Sequence, residues 1–204
     1  MNIDHIIWGA RDLGRGMEEI AEITGVRPAR GGSHRGLGTE NALLSLGEGC
    51  YLEIIAPDPA QPQVEGLAAK LANLESSRLI GWVIRAEDMD SLASRMRDRG
   101  YPLAVVEMSR QKPDGSLLEW RFAHLEGRRY DLLVPGIIEW RGVAHPSHDS
   151  PPGCLLRHLV LEATDPDPVS RILAALGTSA GLLPASRDRL VARIDSPRGT
   201  VDLV

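Results

Sequence analysis

A histidine and a glutamate, each set in a run of β-branched and apolar residues, are the side chains of this chain best placed for chemistry. Ile3-Asp4-His5-Ile6-Ile7-Trp8 and Tyr51-Leu52-Glu53-Ile54-Ile55 both read as largely buried strands. Period-two alternation puts Ile3, His5 and Ile7 on one face of the first, and Tyr51, Glu53 and Ile55 on one face of the second. A charged glutamate between Leu52 and Ile54 needs a cation or hydrogen-bond donors if buried. An imidazole and a carboxylate facing one concavity suit a borderline divalent ion such as Zn, Mn, Fe or Ni. The alternative is a metal-free pocket in which His5 bonds a backbone carbonyl and the acids pair with arginines such as Arg121.

Other residues carry weaker signals. Gly31-Gly32-Ser33-His34-Arg35-Gly36-Leu37-Gly38-Thr39 is a glycine-dense loop in which His34 could act as general acid or base near Thr39, or simply be solvated. Asn41, at the start of a strand, could orient a substrate carbonyl or end a turn. Of four tryptophans on expected strands, Trp82, Trp120 and Trp140 could line an apolar pocket with their N–H groups as donors; core packing is the competing reading. His145 and His148 have H-x-x-H spacing in a proline-bounded loop, where no regular structure aims both rings at one point; they read as solvated linker.

Several classes are disfavoured. A net charge of −5, with Arg128-Arg129 as the nearest approach to a basic cluster, argues against nucleic acid. No apolar stretch is long enough to span a bilayer, and the N-terminal residues do not form a signal peptide. No Gly-Lys-Ser/Thr phosphate loop or G-x-S-x-G elbow occurs. Cys50 and Cys154 lack C-x-x-C spacing and basic neighbours, so they read as small core residues of a cytoplasmic protein.

The elements that must position these side chains recur. Ile3–Trp8, Leu79–Ile84 and Leu156–Leu161 align on His5, Gly81 and His158, a period of roughly 76 residues. An aspartate suited to cap a helix follows each anchor: Asp12, Asp88 and Asp165. An apolar helical stripe comes next, then a glycine (Gly25, Gly100, Gly177) where a left-handed C-cap is cheapest. Extended segments complete each unit: Val26–Gly32, Asn41–Leu46 and Tyr51–Ala56; then Leu103–Ser109, Leu117–His124 and Leu133–Trp140; then Leu182–Ala185, Arg189–Ile194 and Thr200–Val204. The expected organisation is α+β, with βαβββ modules at 1–58, 79–141 and 155–204. The joins are a linker at 59–78, with a short helix over Val64–Leu74, and a Pro/Gly linker at 142–154.

These residues resemble the glyoxalase-like group of the vicinal-oxygen-chelate superfamily. The resemblance lies in Ile3-Asp4-His5, Asp12-Leu13, Gly31-Gly32-Ser33-His34, Gly38–Leu43 and Tyr51–Ile55. In the second module it lies in Pro113-Asp114-Gly115, Leu118–Arg121 and Pro135–Trp140. It covers about residues 2–146, and the third module matches as a module more than as a motif. It implies that two modules set mixed sheets side by side to enclose a cup, with a metal commonly held by their first and last strands. The superfamily's ligand positions fall on His5 and Glu53, and module two would add Glu139, equivalent to Glu53, beside Gly81. If module three closes the cup instead, His158 and Asp202 complete two histidines and two carboxylates. Sequence order and the closer motif match favour modules one and two.

Two functions follow as expectations. One is a metal-dependent lyase, isomerase or dioxygenase acting on a small oxygen-bearing molecule, with Glu53 and His34 as catalytic groups and His34, Thr39, Asn41, Trp82, Trp120, Arg121 and Trp140 around the substrate. The other is a non-catalytic sequestration module. An unpaired third module leaves an open sheet edge, from which a homodimer is expected.

Overall fold

The structure is a computed structural model describing residues 2–61, 66–111, 115, 117–127, 132–142 and 144–204. Pro113, Asp114, Arg128 and Arg129 lie outside the described residues, as do the first two residues of the helix expected at Val64–Leu74.

Three βαβββ units follow one another. The first is β1 (Ile3–Gly9), α1 (Leu13–Thr24), β2 (Ala29–His34), β3 (Thr39–Ser45) and β4 (Tyr51–Pro57). After α2 (Leu67–Ala72) come β5 (Arg78–Arg85), α3 (Met89–Asp98), β6 (Leu103–Gln111), β7 (Leu117–Leu125) and β8 (Gly136–Trp140). A 3-10 turn at Pro146–His148 leads to β9 (Leu155–Ala163), α4 (Pro166–Leu176), β10 (Gly181–Pro184), β11 (Arg189–Ser196) and β12 (Gly199–Leu203).

The expected caps explain where the helices start and stop. Asp12 accepts from the Arg15 N–H and Asp88 from the Ser91 N–H, both at 2.9 Å. Asp165 makes no such bond; Pro166, in the first turn, presets the backbone instead. Gly25 and Gly177 end α1 and α4 at φ of 79° and 72°, a conformation other residues adopt at a cost.

Modules one and two close into one barrel of order β1-β4-β3-β2-β6-β7-β8-β5, so it is this pair that shares the cup. Two junctions join the modules: β1 and β5 run antiparallel over a ladder with two register shifts, and β2 pairs with β6 at Ser33 and Gln111. Outward side chains such as Ile6, Trp8, Leu52, Ile54, Trp82 and Ile84 join α1 and α3 in the main core. Inward ones, including Ile7, Val83, Leu118, Trp120 and Ile138, form a second cluster inside the cup. Burial on both faces is why these strands read as nearly continuous apolar runs. α2 covers one side of the cup, packing Leu71 on Ile55 beside Ile7 and Ile80.

Module three forms a separate sheet, β10-β9-β11-β12, whose Leu159, Leu161, Leu190, Ala192 and Ile194 extend the same core. Its other face carries ion pairs, including Arg189 with Glu162 and Arg193 with Asp202. Its edge strands are four and five residues long and include Pro184 and Asp202, features that discourage edge pairing. No helix among the described residues is long and apolar enough to cross a membrane.

Candidate functional site

A half-open cavity of about 1400 Å³ runs from the barrel interior out along α2 and module three; inside the barrel it meets the polar His5, His34, Asn41, Tyr51, Glu53 and Arg110 and the apolar Val106, Met108, Leu118, Trp120, Phe122 and Ile138. His5 and Glu53 do converge. β1 and β4 run parallel, with His5 opposite Tyr51 and Ile7 opposite Glu53, so both groups face inward on neighbouring strands. His5 Nε2 lies 3.7 Å from Glu53 Oε2, and His34 Nε2 lies 3.9 Å from Glu53 Oε1. His34 is the last residue of β2 rather than part of a solvated loop, and the turn to β3 uses Gly36 and Gly38 at φ of 78° and 67°. Its ring is buried, and that burial holds its pKa below the ordinary value against the Glu53 charge.

The hydrogen bonds fix which nitrogens carry protons. The Asn41 Nδ2 group donates to Glu53 Oε1 at 2.6 Å and to His34 Nε2 at 3.4 Å, so His34 donates from Nδ1 to the Thr39 hydroxyl at 3.0 Å. Arg110 donates to Asn41 Oδ1 at 2.9 Å, orienting the amide. That reach requires Gly31: a Cβ there would stand 2.1 Å from Arg110 Nη1 and 2.4 Å from Asn41 Oδ1.

Below His5 lies Asp4, wholly buried. Its Oδ1 accepts from His5 Nδ1 at 2.8 Å; its Oδ2 accepts from Arg85 Nε at 2.8 Å, Trp140 Nε1 at 3.0 Å and His145 Nε2 at 3.1 Å. Burial pushes the Asp4 carboxyl up, but hydrogen bonds and charge from His145 and His5 outweigh it and hold the pKa well below the carboxylate range. The ionised Asp4 holds His5 Nδ1 by a hydrogen bond, which turns His5 Nε2 toward Glu53 Oε2. That oxygen accepts no hydrogen bond among the described residues. At 3.7 Å the two atoms are too far apart for a mutual hydrogen bond, which leaves Glu53 Oε2 open to a proton from a third party. Tyr51 stacks on His5 at 4.6 Å, and burial together with the Glu53 and Asp4 charges pushes its pKa well up, so its hydroxyl stays protonated.

Several expected site residues stand elsewhere. Glu139 is not the counterpart of Glu53. Ile7 faces Glu53 and Val83 faces Gly136, and Ile7 and Val83 stand equally far before Asp12 and Asp88, so the counterpart is Gly136. Three residues on, Glu139 points to the helix side, where it accepts from the Met89 N–H at 2.8 Å and pairs with Arg121 at 3.4 Å. Arg121 shares that outer face, bonded to Asp90 at 2.6 Å, and lines no part of the cavity. Trp82 borders the cavity, but its N–H is committed to the Leu133 carbonyl at 3.0 Å within the main core. His158 is exposed and Asp202 is tied to Arg193, both on module three and outside the cup. Thr39, Asn41, Trp120 and Trp140 do line it, the two indoles lying 5.6 Å apart.

This donor set does not fit the metal implied by the resemblance. Module two places glycines at the counterparts of both His5 and Glu53: Gly81 and Gly136. A Cβ at Gly136 would stand 2.5 Å from Phe122 Cζ, so a phenyl ring fills the space a ligating side chain would need. In module one the Asn41 amide nitrogen bonds both His34 Nε2 and Glu53 Oε1. Among the described residues, no group of three or more His, Cys, Asp or Glu side chains is arranged to hold an ion.

Sequence reasoning missed Asp4, Arg85, Arg110 and, above all, His145. That histidine is buried beneath the barrel, its Nδ1 against Ser147 at 2.8 Å and its Nε2 on Asp4. The adjacency of Asp4 and His5 was the one available signal. Both cysteines are free, and burial, then the Asp4 charge, pushes the Cys50 thiol up to about 12, which is not the environment of a nucleophile.

Paired βαβββ modules around a cup with a one-sided polar floor define a protein of the vicinal-oxygen-chelate fold. The structure of a hypothetical protein from Staphylococcus aureus is similar, with a TM-score of 0.68 at 12% identity over 98% of this chain and 83% of its own. Methylmalonyl-CoA epimerase from Mycobacterium tuberculosis gives a TM-score of 0.49 at 19% identity over 68% of this chain and 87% of its own. A variant of the Streptomyces coelicolor epimerase gives 0.48 at 19% over 70% and 96%. A search of curated proteins finds no match. The model of the glyoxalase-like domain family matches residues 3–177, and the chain belongs to that family.

Proposed function

We propose that the cup binds a small molecule with an apolar body and a carbonyl or hydroxyl end, and that Glu53 moves a proton on it in an isomerase- or lyase-type reaction. One observation carries this reading: Glu53 Oε2, with no hydrogen bond of its own among the described residues, lies 3.7 Å from His5 Nε2 inside the cavity. A C–H beside a carbonyl placed there would give its proton to Glu53, and the electron pair would pass to the carbonyl oxygen. Arg110 and the protonated Tyr51 hydroxyl are the groups on hand to stabilise that oxyanion. Return of the proton to another face or atom completes an isomerisation, and His5 can hold it in between. A divalent cofactor is no part of this proposal. The cytoplasmic location expected from the sequence is kept within it, supported by the two free thiols.

The test is deuterium uptake at the carbon next to the carbonyl of phenylpyruvate and of 4-phenylbutan-2-one in D₂O, followed by proton NMR. Glu53→Gln should slow exchange by about 10²-fold or more while leaving ligand affinity within a few fold. The second reading, sequestration without chemistry, is favoured by the apolar wall that module two presents. It predicts tight binding of both compounds with exchange no faster in the native protein than in the variant.

A further inference from the structure

The cavity does not stop at the rim of the barrel. Its wall continues onto Lys70 of α2, Ser76, Ser77 and Arg78 before and at the start of β5, and residues 187–190 of module three. About 1400 Å³ exceeds the usual range for a drug-sized ligand, roughly 300–1,000 Å³, so the space suits a molecule longer than the floor alone could engage. Charge along the wall is lopsided. Lys70, Arg78, Arg110, Arg187 and Arg189 line it against two side-chain carboxylates, Glu53 and Asp188, in a chain whose net charge is −5. Arg189 is bidentate on Glu162 at 2.8 and 2.9 Å, and Asp188 accepts from the Thr164 N–H and hydroxyl, both at 2.8 Å. Arg110 is buried on the floor of the cup, where its Nη1 donates to Asn41. Lys70, Arg78 and Arg187 are left exposed along the wall with no side-chain hydrogen bond or ion pair among the described residues, although the charge of Arg187 is felt by Glu162.

We propose that these three cations form an anion-binding lip for the terminal phosphate or carboxylate of an amphipathic ligand. The ligand's apolar body fills the cup while its oxygen-bearing end reaches Glu53. This inference rests on the reading of the cup as a ligand site and names the class of molecule it takes. It also gives module three a part in the site, since that module supplies Arg187 to the cavity wall. Exposed cations contribute mainly to selectivity and association rate, so preference for an anion over its neutral analogue is the property to measure.

Calorimetric titration with octyl phosphate, octanoate and 1-octanol, at low and high salt, tests this. The two anions, or octyl phosphate alone, should bind about tenfold or more tighter than 1-octanol, and the preference should shrink with salt. The Arg78→Ala/Arg187→Ala variant should lose about tenfold of the anion affinity and keep that for 1-octanol, with an unchanged melting temperature because both side chains are exposed. Preference for octyl phosphate over octanoate identifies a phosphate lip, and equal affinity a general anion lip. Equal binding of 1-octanol and the anions, or a variant that keeps its anion preference, overturns the lip and leaves the cup reading standing. If none of the three binds, both fail together.

Discussion

Across the barrel, module one presents His5, His34, Asn41 and Glu53 to the cavity, while the same fold in module two presents Val83, Leu118, Trp120 and Ile138. Each half has a first and a last strand in the same relation, yet where one carries His5 and Glu53 the other carries Gly81 and Gly136. Two copies of one architecture have thus become a polar wall and a mostly greasy one, to which β6 adds Arg110. A molecule lying between them is oriented by that difference, with its oxygen end toward β1 and β4. The comparison also shows why membership of the fold says little about chemistry: side chains at two equivalent positions decide it.

The sharpest way to break the comparison is to remove what holds the polar wall in place. Asp4→Ala strands Arg85, His145 and Trp140 without their acceptor and should cost about 3–5 kcal/mol in denaturant unfolding; near-native stability would show the network to be ornamental. Asp4→Asn, closer in shape, should switch His5 away from the Nδ1–H form, which nitrogen-15 NMR of the ring reads directly.

Giving the greasy wall a donor sharpens the contrast from the other side. Gly136→Glu collides with Phe122 and should lose about 1–3 kcal/mol, recovered in part when Phe122→Ala makes room. Adding Gly81→His, where a Cβ meets only Ile7 at 3.6 Å, should produce a cup that retains zinc through gel filtration at a higher metal content than its parent. Equal content would mean that the missing donors are not what separates the two halves.

Acid should weaken the polar wall first. His34 has a depressed folded pKa, so the unfolded chain takes up its proton more readily; its contribution is present above about pH 6.5 and is lost as pH falls toward the folded value. Asp4, also depressed, contributes above about pH 3.8 and loses that contribution below it. Melting curves against pH should therefore show an upper step absent in His34→Gln and a lower one absent in Asp4→Asn. The smallest effect is expected at Glu139→Gln, which weakens the contacts at the start of α3 by about 1 kcal/mol and leaves ligand binding untouched, as befits a residue on the outer face.

Strand, cap, helix and glycine were legible because each is a local decision: Asp12 and Asp88 cap where their spacing says, and Gly25 and Gly177 turn the chain. His5 and Glu53 were legible because alternation along a strand is also local. The register of β8 was not. In Leu133–Trp140 apolar residues fall on both faces, so the only acid in the run, Glu139, drew the alignment to itself, and a slip of three residues reversed its direction. His145 was hidden for a different reason. Nothing near it in sequence reports that the linker folds under the barrel, where Pro151 accepts from the Ser45 N–H and Leu46 from the Leu156 N–H.

At the seam where β2 pairs with β6 through Ser33 and Gln111, a side chain crosses the barrel wall: Arg110 of β6 reaches past Gly31 of β2 to Asn41 of β3. Native-state hydrogen exchange should register the loss of that bridge in Arg110→Ala as faster exchange along Ala29–His34, with the amides of Ile3–Gly9 little changed. His34 ends the same strand, β2. A guest touching Arg110 and His34 together would brace the seam, so residence in the cup can be timed from a backbone clock without following any reaction.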